Sequence, residues 1–100
     1  MDDYFVLKPK HSAFHSTTLE LLLHALQTRA LVICGFATNI CVLFSANDAY
    51  MRDFQISVPY DCVAANSREE SEITLAQMAK VLKADITPSM NVDFDALSQC

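Results

Sequence analysis

Apolar and polar positions alternate along this chain in blocks of different period, and each block predicts an element. Tyr4-Phe5-Val6-Leu7 is a short apolar run halted by Pro9, whose ring also pushes Lys8 toward an extended backbone, so a first strand is expected there. Leu19, Leu22, Leu23 and Leu26 recur at helical spacing behind Thr17-x-x-Glu20, which has the spacing of a capping box. Ala30 to Cys34 is apolar at every position, the pattern of a strand covered on both faces. The run ends at Gly35, the one glycine of the chain, and a helix is expected from about Asn39 to Arg52. Phe54, Ile56 and Val58 alternate with Gln55 and Ser57, as in a half-buried strand. Ser67-x-x-Glu70 offers a second capping box, followed by Leu75, Met78, Ala79 and Leu82. Ala84 to Thr87 supplies one more short strand before Pro88.

Strands alternating with helices in this way imply crossover connections on a parallel sheet. The expected class is α/β: a partial doubly wound parallel sheet with helices on both faces, as one domain over residues 1–100. In such sheets ligands bind beyond the carboxyl ends of the strands. That rule places Lys8, the stretch from Gly35 to Cys41, and Asp61 along one edge.

Composition narrows the partners. One hundred residues with 52% hydrophobic content suffice for a modest core. The net charge of −5, with seven scattered basic residues, argues against nucleic acid, which needs clustered lysine and arginine. No apolar run approaches the length of a membrane span, and MDDYFVLKPK lacks the pattern of a secretory signal. The four cysteines at 34, 41, 62 and 100 would allow two disulfides, but no secretory pattern supports them, and without CxxC spacing no zinc site is expected. Reduced thiols and a cytoplasmic location follow, with Cys34 and Cys62 read as small buried hydrophobes.

Cys41 differs from the other three. Gly35 permits a tight turn or a close backbone approach, and Thr38 or Asn39 is placed to cap the next helix. Cys41 then falls in the first helical turn, where partial positive charge and free N–H groups suit a thiolate or an oxyanion. Lys8, at a neighbouring strand end, adds a full positive charge. A free cysteine is also a common core residue, so position alone leaves both readings open.

The segments KPKHSAF (Lys8 to Phe14), GFATNICV (Gly35 to Val42) and PYDCVAA together resemble the isochorismatase-like cysteine hydrolases, from about Tyr4 to Lys83. That group includes nicotinamidases, carbamoylsarcosine and ureidoacrylate amidohydrolases, and isochorismatase itself. The resemblance implies that Cys41 is the nucleophile and Lys8 the lysine of a catalytic triad. It implies an oxyanion hole from the backbone N–H groups of Ala37 and Cys41, with Gly35, Phe36, Thr38 and Asn39 shaping the turn. It also implies a cis peptide between Phe36 and Ala37. The substrate would be a small amide-like molecule, cleaved at a C–N bond through a thioester; no cofactor and no metal are implied for this chain.

The departures from the pattern carry expectations too. The third triad residue of the family, an aspartate in a D-x-Q segment on an earlier strand, has no counterpart in this sequence. Neither have the two strands that lie between those of Lys8 and Cys34 in the family order 3-2-1-4-5-6. The chain is therefore read as the carboxyl-terminal part of the domain, with impaired acyl transfer by itself. An open apolar edge beside Cys34 is expected to pair with a second copy or with a chain carrying the missing strands. The alternative function is then an inactive half-domain that pairs through that edge, and a weaker third is a redox-responsive pair of Cys41 and Cys34. His11 and His15, four apart, have metal-ligand spacing only if helical, and they precede the helix cap. His24 is read as an ordinary helix residue, Asp61 as a loop anchor or turn residue, and Asn47, Asp48 and Arg52 as a solvated helix face. Met90, Phe94 and Cys100 belong to a tail that covers the sheet or docks on a partner.

Overall fold

The computed structural model describes residues 4–92. Its elements in chain order are α1 (Leu19–Ala25), β1 (Ala30–Val32), β2 (Gly35–Phe36), a π-helical turn (Thr38–Val42) running into α2 (Leu43–Met51), β3 (Gln55–Ser57), a 3-10 turn (Tyr60–Cys62), β4 (Val63–Ala64), α3 (Arg68–Val81) and a last 3-10 turn (Ser89–Asn91). Strand β1 pairs with β3 in parallel, Leu31 opposite Ile56, and β2 pairs with β4 in parallel, Gly35 opposite Val63. Asp85 forms a parallel bridge to Ser57, donating its N–H to the Ile56 carbonyl at 2.9 Å. Three segments thus run side by side in one direction, with α2 crossing from the first to the second and α3 from the second to the third. That is the α/β class expected from the periodicities.

The helices are anchored by what they bury. Leu23, Val42, Ala46, Ala49, Phe54, Ile56, Val58, Leu75, Met78 and Leu82 join one core cluster with Phe14 and Ala84. Small side chains at Ala46 and Ala49 let α2 lie close on β3. Ser67 caps α3 as expected, its hydroxyl accepting from the Glu70 N–H at 3.1 Å, the first half of the expected box. Glu69 and Glu70 in the first turn and Lys80 in the last complement the helix dipole.

With a single glycine in the chain, the left-handed positions that end helices fall to other residues. Gln27 (φ 59°) and Asp53 (φ 67°) take them after α1 and α2. The Thr28 N–H then bonds the Leu23 carbonyl at 3.0 Å and the Phe54 N–H bonds Ala49 at 3.1 Å, the pairing of a Schellman motif. A side chain in that region costs about 1–2 kcal/mol. Gln27→Gly is therefore expected to stabilise the protein by about 1 kcal/mol, measured by urea denaturation.

Several expectations are corrected. Residues 4–8 form no strand, because no described strand runs alongside to complete a ladder, and Tyr4, Phe5 and Leu7 are exposed. The Ala30–Cys34 run is strand only as far as Val32; β1 has β3 on one side and no strand on the other among the described residues. Cys34, beyond the end of β1, is exposed rather than buried, and Cys62 is exposed in its turn. The Thr17-x-x-Glu20 box does not form. Thr18 is the cap position without a side-chain bond, and Glu20 reaches Arg52 at 2.8 Å instead. Ser57 breaks the alternation of β3, buried with its hydroxyl unpaired among the described residues. Phe94 and Cys100 lie outside the described residues.

Candidate active site

The turn before α2 carries Cys41. Gly35 has φ +130°, a conformation that side chains rarely adopt, although a Cβ there would meet nothing within 4 Å. Its role is the backbone path rather than a close approach. The Phe36–Ala37 peptide bond is cis. Beyond it the Ala37 carbonyl accepts from both Ile40 and Val42 N–H groups at 3.1 Å. The second of these spans five residues and makes the turn a wide π turn, with Cys41 in it.

Neither Thr38 nor Asn39 caps this helix, as the sequence had suggested; the cap position is Ala37, with no side-chain bond. Thr38 is fully buried, and a buried hydroxyl needs a partner. It finds one in Ser71 of α3, 2.8 Å between oxygens, which pins the turn to the next crossover helix.

Lys8 arrives from the other side, held by the segment that follows it. Ser12 is buried and donates to the Asp48 carboxylate of α2, and the Ala13 N–H donates to Ser45 Oγ at 2.9 Å. Phe14 drops into the core against Phe54, ring centroids 6.1 Å apart, with the Arg52 guanidinium 5.0 Å above its ring. Arg52 also holds Glu20 of α1 at 2.8 Å and Asp48 at 3.5 Å. Asp48 and Arg52 are thus a half-buried clamp on the Ser12–Phe14 segment and not the solvated face expected of them; Asn47 alone is solvated.

The clamp brings Lys8 Nζ to 3.7 Å from Cys41 Sγ, with a second bond from Nζ to the Lys10 carbonyl at 3.2 Å. His11 comes with it: its Nδ1 is 3.8 Å from Sγ, and its ring stacks on Phe44 at 5.8 Å between centroids. The sequence reading weighed His11 only as a metal ligand beside His15. The two lie in a turn rather than a helix, and a contact across thirty residues brings the first beside the Cys41 sulfur. Among the described residues no three His, Cys, Asp or Glu side chains converge as a metal site.

Cys41 opens on a cleft of about 380 Å³ lined by Lys8, Phe14, Leu31, Cys34 and Phe36, among others. That is room for a small, partly apolar molecule. A larger cleft of about 770 Å³ lies between Tyr60–Ser67 and α3, but it contains neither Lys8 nor Cys41. Cys34, Cys41 and Cys62 are free thiols. No helix among the described residues is long and apolar enough to cross a membrane.

Asp61, on the same edge, is a loop anchor. Its carboxylate accepts from the Ser89 hydroxyl at 2.7 Å and the Ser89 N–H at 2.8 Å. The hydroxyl bond first, and the amide bond second, hold the carboxyl below its ordinary range. A carboxyl depressed in this way binds its proton more weakly folded than unfolded. The contact is therefore fully present above about pH 4 and is lost as pH falls through the folded value. Hydrogen-exchange protection of the Ser89 amide is expected to drop below about pH 4, and Asp61→Ala should abolish that protection already at pH 6.

The isochorismatase domain model matches residues 1–88. An uncharacterized isochorismatase family protein of Bacillus subtilis, YaaI, is 58% identical over 85 residues, 85% of this chain and 47% of its own length. The crystal structure of the nicotinamidase PncA from Bacillus subtilis superposes with a TM-score of 0.80 and 36% identity, over 82% of this chain and 45% of that one. N-carbamoylsarcosine amidase from Thermoplasma acidophilum superposes with a TM-score of 0.82 and 30% identity, over 91% of this chain and 51% of that one. The chain thus spans about half the length of these relatives. On the extent of the domain match and the identity to its relatives, this chain belongs to the isochorismatase family.

Proposed function

We propose that the chain carries the nucleophilic half of a cysteine hydrolase that cleaves the C–N bond of a small amide-type molecule through a Cys41 thioester. The observation that carries this reading is Lys8 Nζ at 3.7 Å from Cys41 Sγ, two groups thirty-three residues apart brought together beside an apolar cleft. Sγ attacks the substrate carbonyl carbon, and the carbonyl oxygen becomes an oxyanion. Backbone N–H groups of Ala37 and Cys41 receive that charge, while the Lys8 ammonium and the helix start supply a positive field around it. Collapse expels the amine, and water then hydrolyses the thioester. The amidase names of two structural relatives support a C–N bond as the target. The test is ammonia release from a panel of small carboxamides. Release that disappears with Cys41→Ala supports the reading, and release unaffected by that change refutes it.

A second reading rests on the open side of β1. That strand has one described neighbour, and Val32 on it and Phe36 just beyond it are exposed. The half-domain then pairs through this edge with a second copy or with a chain carrying complementary strands, and is inactive alone. Sedimentation analysis separates the two: a monomer that turns over amides excludes the second.

A further inference from the structure

The cleft of about 770 Å³ beside α3 shares no lining residue with the Cys41 cleft. Its walls come from residues 60–86 alone, so neither α1 nor the open side of β1 enters it. Val63, Leu75, Ala76 and Ile86 give it apolar walls. Two opposite charges border those walls, Arg68 and Glu72, one turn apart on α3. Among the described residues neither has a salt-bridge partner, the pairs there being those of Arg52. Asp61, a third charge at the cleft, is already committed to Ser89. A simple anion would meet the Glu72 carboxylate here, and a simple cation the Arg68 guanidinium. A molecule that carries both charges satisfies both. The cleft walls are also supports of the Cys41 turn. Val63 and Ala64 pair with Gly35 and Phe36, and Ser71 holds the buried Thr38 hydroxyl at 2.8 Å. Whatever touches these walls touches what holds the turn.

We infer that this cleft binds a small zwitterion with an apolar side chain, of the class of the hydrophobic α-amino acids, and that the Cys41 turn senses the bound molecule. The carboxylate of the ligand faces Arg68, whose planar fork of donors suits two oxygens. Its ammonium faces Glu72. Its side chain lies against Leu75, Ala76 and Ile86, which removes apolar surface from water on both sides. The volume is in the range of small-molecule sites and leaves room for such a ligand. Solvated helix charges need no ligand by themselves. What sets these two apart is the concave apolar wall between β4 and α3 that they border. The inference stands apart from the reaction proposed above, since no step of that reaction uses these residues.

The test is a titration of the ¹⁵N-labelled full chain with L-phenylalanine, followed by amide chemical shifts. Shifts at Val63, Ala64, Glu72 and Ala76 are expected to saturate with a midpoint of about 1 mM, as for a small fragment. The Phe36 and Thr38 amides, which do not line the cleft, should move with the same midpoint. Two further probes each lack one charge: hydrocinnamate has no ammonium, and phenethylamine has no carboxylate. Each is expected to bind about 3-fold more weakly than phenylalanine, the scale of one partly solvated charge contact. Glu72→Gln should erase the advantage over hydrocinnamate, and Arg68→Gln the advantage over phenethylamine. Both residues are exposed, so neither change disturbs the core. No saturable shift at the cleft amides, or equal binding of the three probes, overturns the site. Shifts confined to Cys34, Phe36 and Cys41 place the molecule in the other cleft and overturn it as well. Cleft shifts that leave Phe36 and Thr38 unmoved overturn the link to the turn. None of these readouts needs catalysis, so failure of the proposed reaction leaves them unchanged.

Discussion

Cys41→Ala is expected to reduce p-nitrophenolate release from p-nitrophenyl acetate to the uncatalysed rate, a loss of about 10⁴-fold or more. The ester is chosen for its leaving group. A nitrophenolate departs without a proton, so acylation of the half-site is visible even where protonation of an amine leaving group would limit turnover. The size of the loss follows from the role: a nucleophile has no substitute, because removing it removes the covalent route. Cys34→Ala and Cys62→Ala serve as controls. Both thiols are exposed, and neither is hydrogen-bonded to an ammonium or an imidazole. Loss of the same magnitude in either control would move the nucleophile elsewhere.

Lys8→Met is expected to slow the same reaction by about 10²–10³-fold, measured as the initial rate of nitrophenolate release at neutral pH. Methionine keeps most of the aliphatic stem and removes the charge, so the change isolates the ammonium. A preorganised charge near a developing anion acts without reorganisation when the reaction occurs, which is why so large an effect is expected of an exposed side chain. The opposing view treats Lys8 as an ordinary solvated lysine. That view requires the variant to match the parent chain within about twofold, since surface ion contacts contribute little. Lys8→Arg is not a neutral control. Its planar fork cannot occupy the position of a compact ammonium 3.7 Å from sulfur.

How much of this was legible in the sequence depends on the range of the signal. The cap at Ser67 and the core positions Leu75, Met78 and Leu82 were readable because helix periodicity and capping act within four residues. The strand and helix around Gly35 were readable for the same reason, as was the turn that the glycine permits. Thr17-x-x-Glu20 has the same local signature and misled, because Glu20 had a stronger offer from a cation thirty-two residues away. A charge-assisted pair outweighs a neutral cap bond, and nothing in the local spacing shows the competitor.

The strand expected at Tyr4–Leu7 and the burial expected of Cys34 fail on similar grounds. An apolar run records what a segment prefers, whereas cover depends on which strands lie beside it. The one-residue widening of the turn to a π turn left no trace in the periodicity either. Type and position suit Thr38 or Asn39 to a cap, but Ser71 claims the Thr38 hydroxyl through tertiary contact.

The site itself was half visible. Lys8 and Cys41 were singled out by motif, and the structure brings them together. In the sequence, Ser12, Ala13 and Phe14 stand out only as part of the motif. Their contacts with Asp48, Ser45 and Arg52 now explain how that segment presents Lys8. His11 stood between motif positions with no local feature to mark it.

The measurement that bears most directly on Cys41 as nucleophile is peptide mass spectrometry of the chain quenched in acid during reaction with p-nitrophenyl acetate. The expected result is an acetyl adduct on the peptide containing Cys41, labile to hydroxylamine as a thioester is, and absent from Cys41→Ala. An adduct spread evenly over Cys34, Cys41 and Cys62, or found on none of them while nitrophenolate is released, would contradict it.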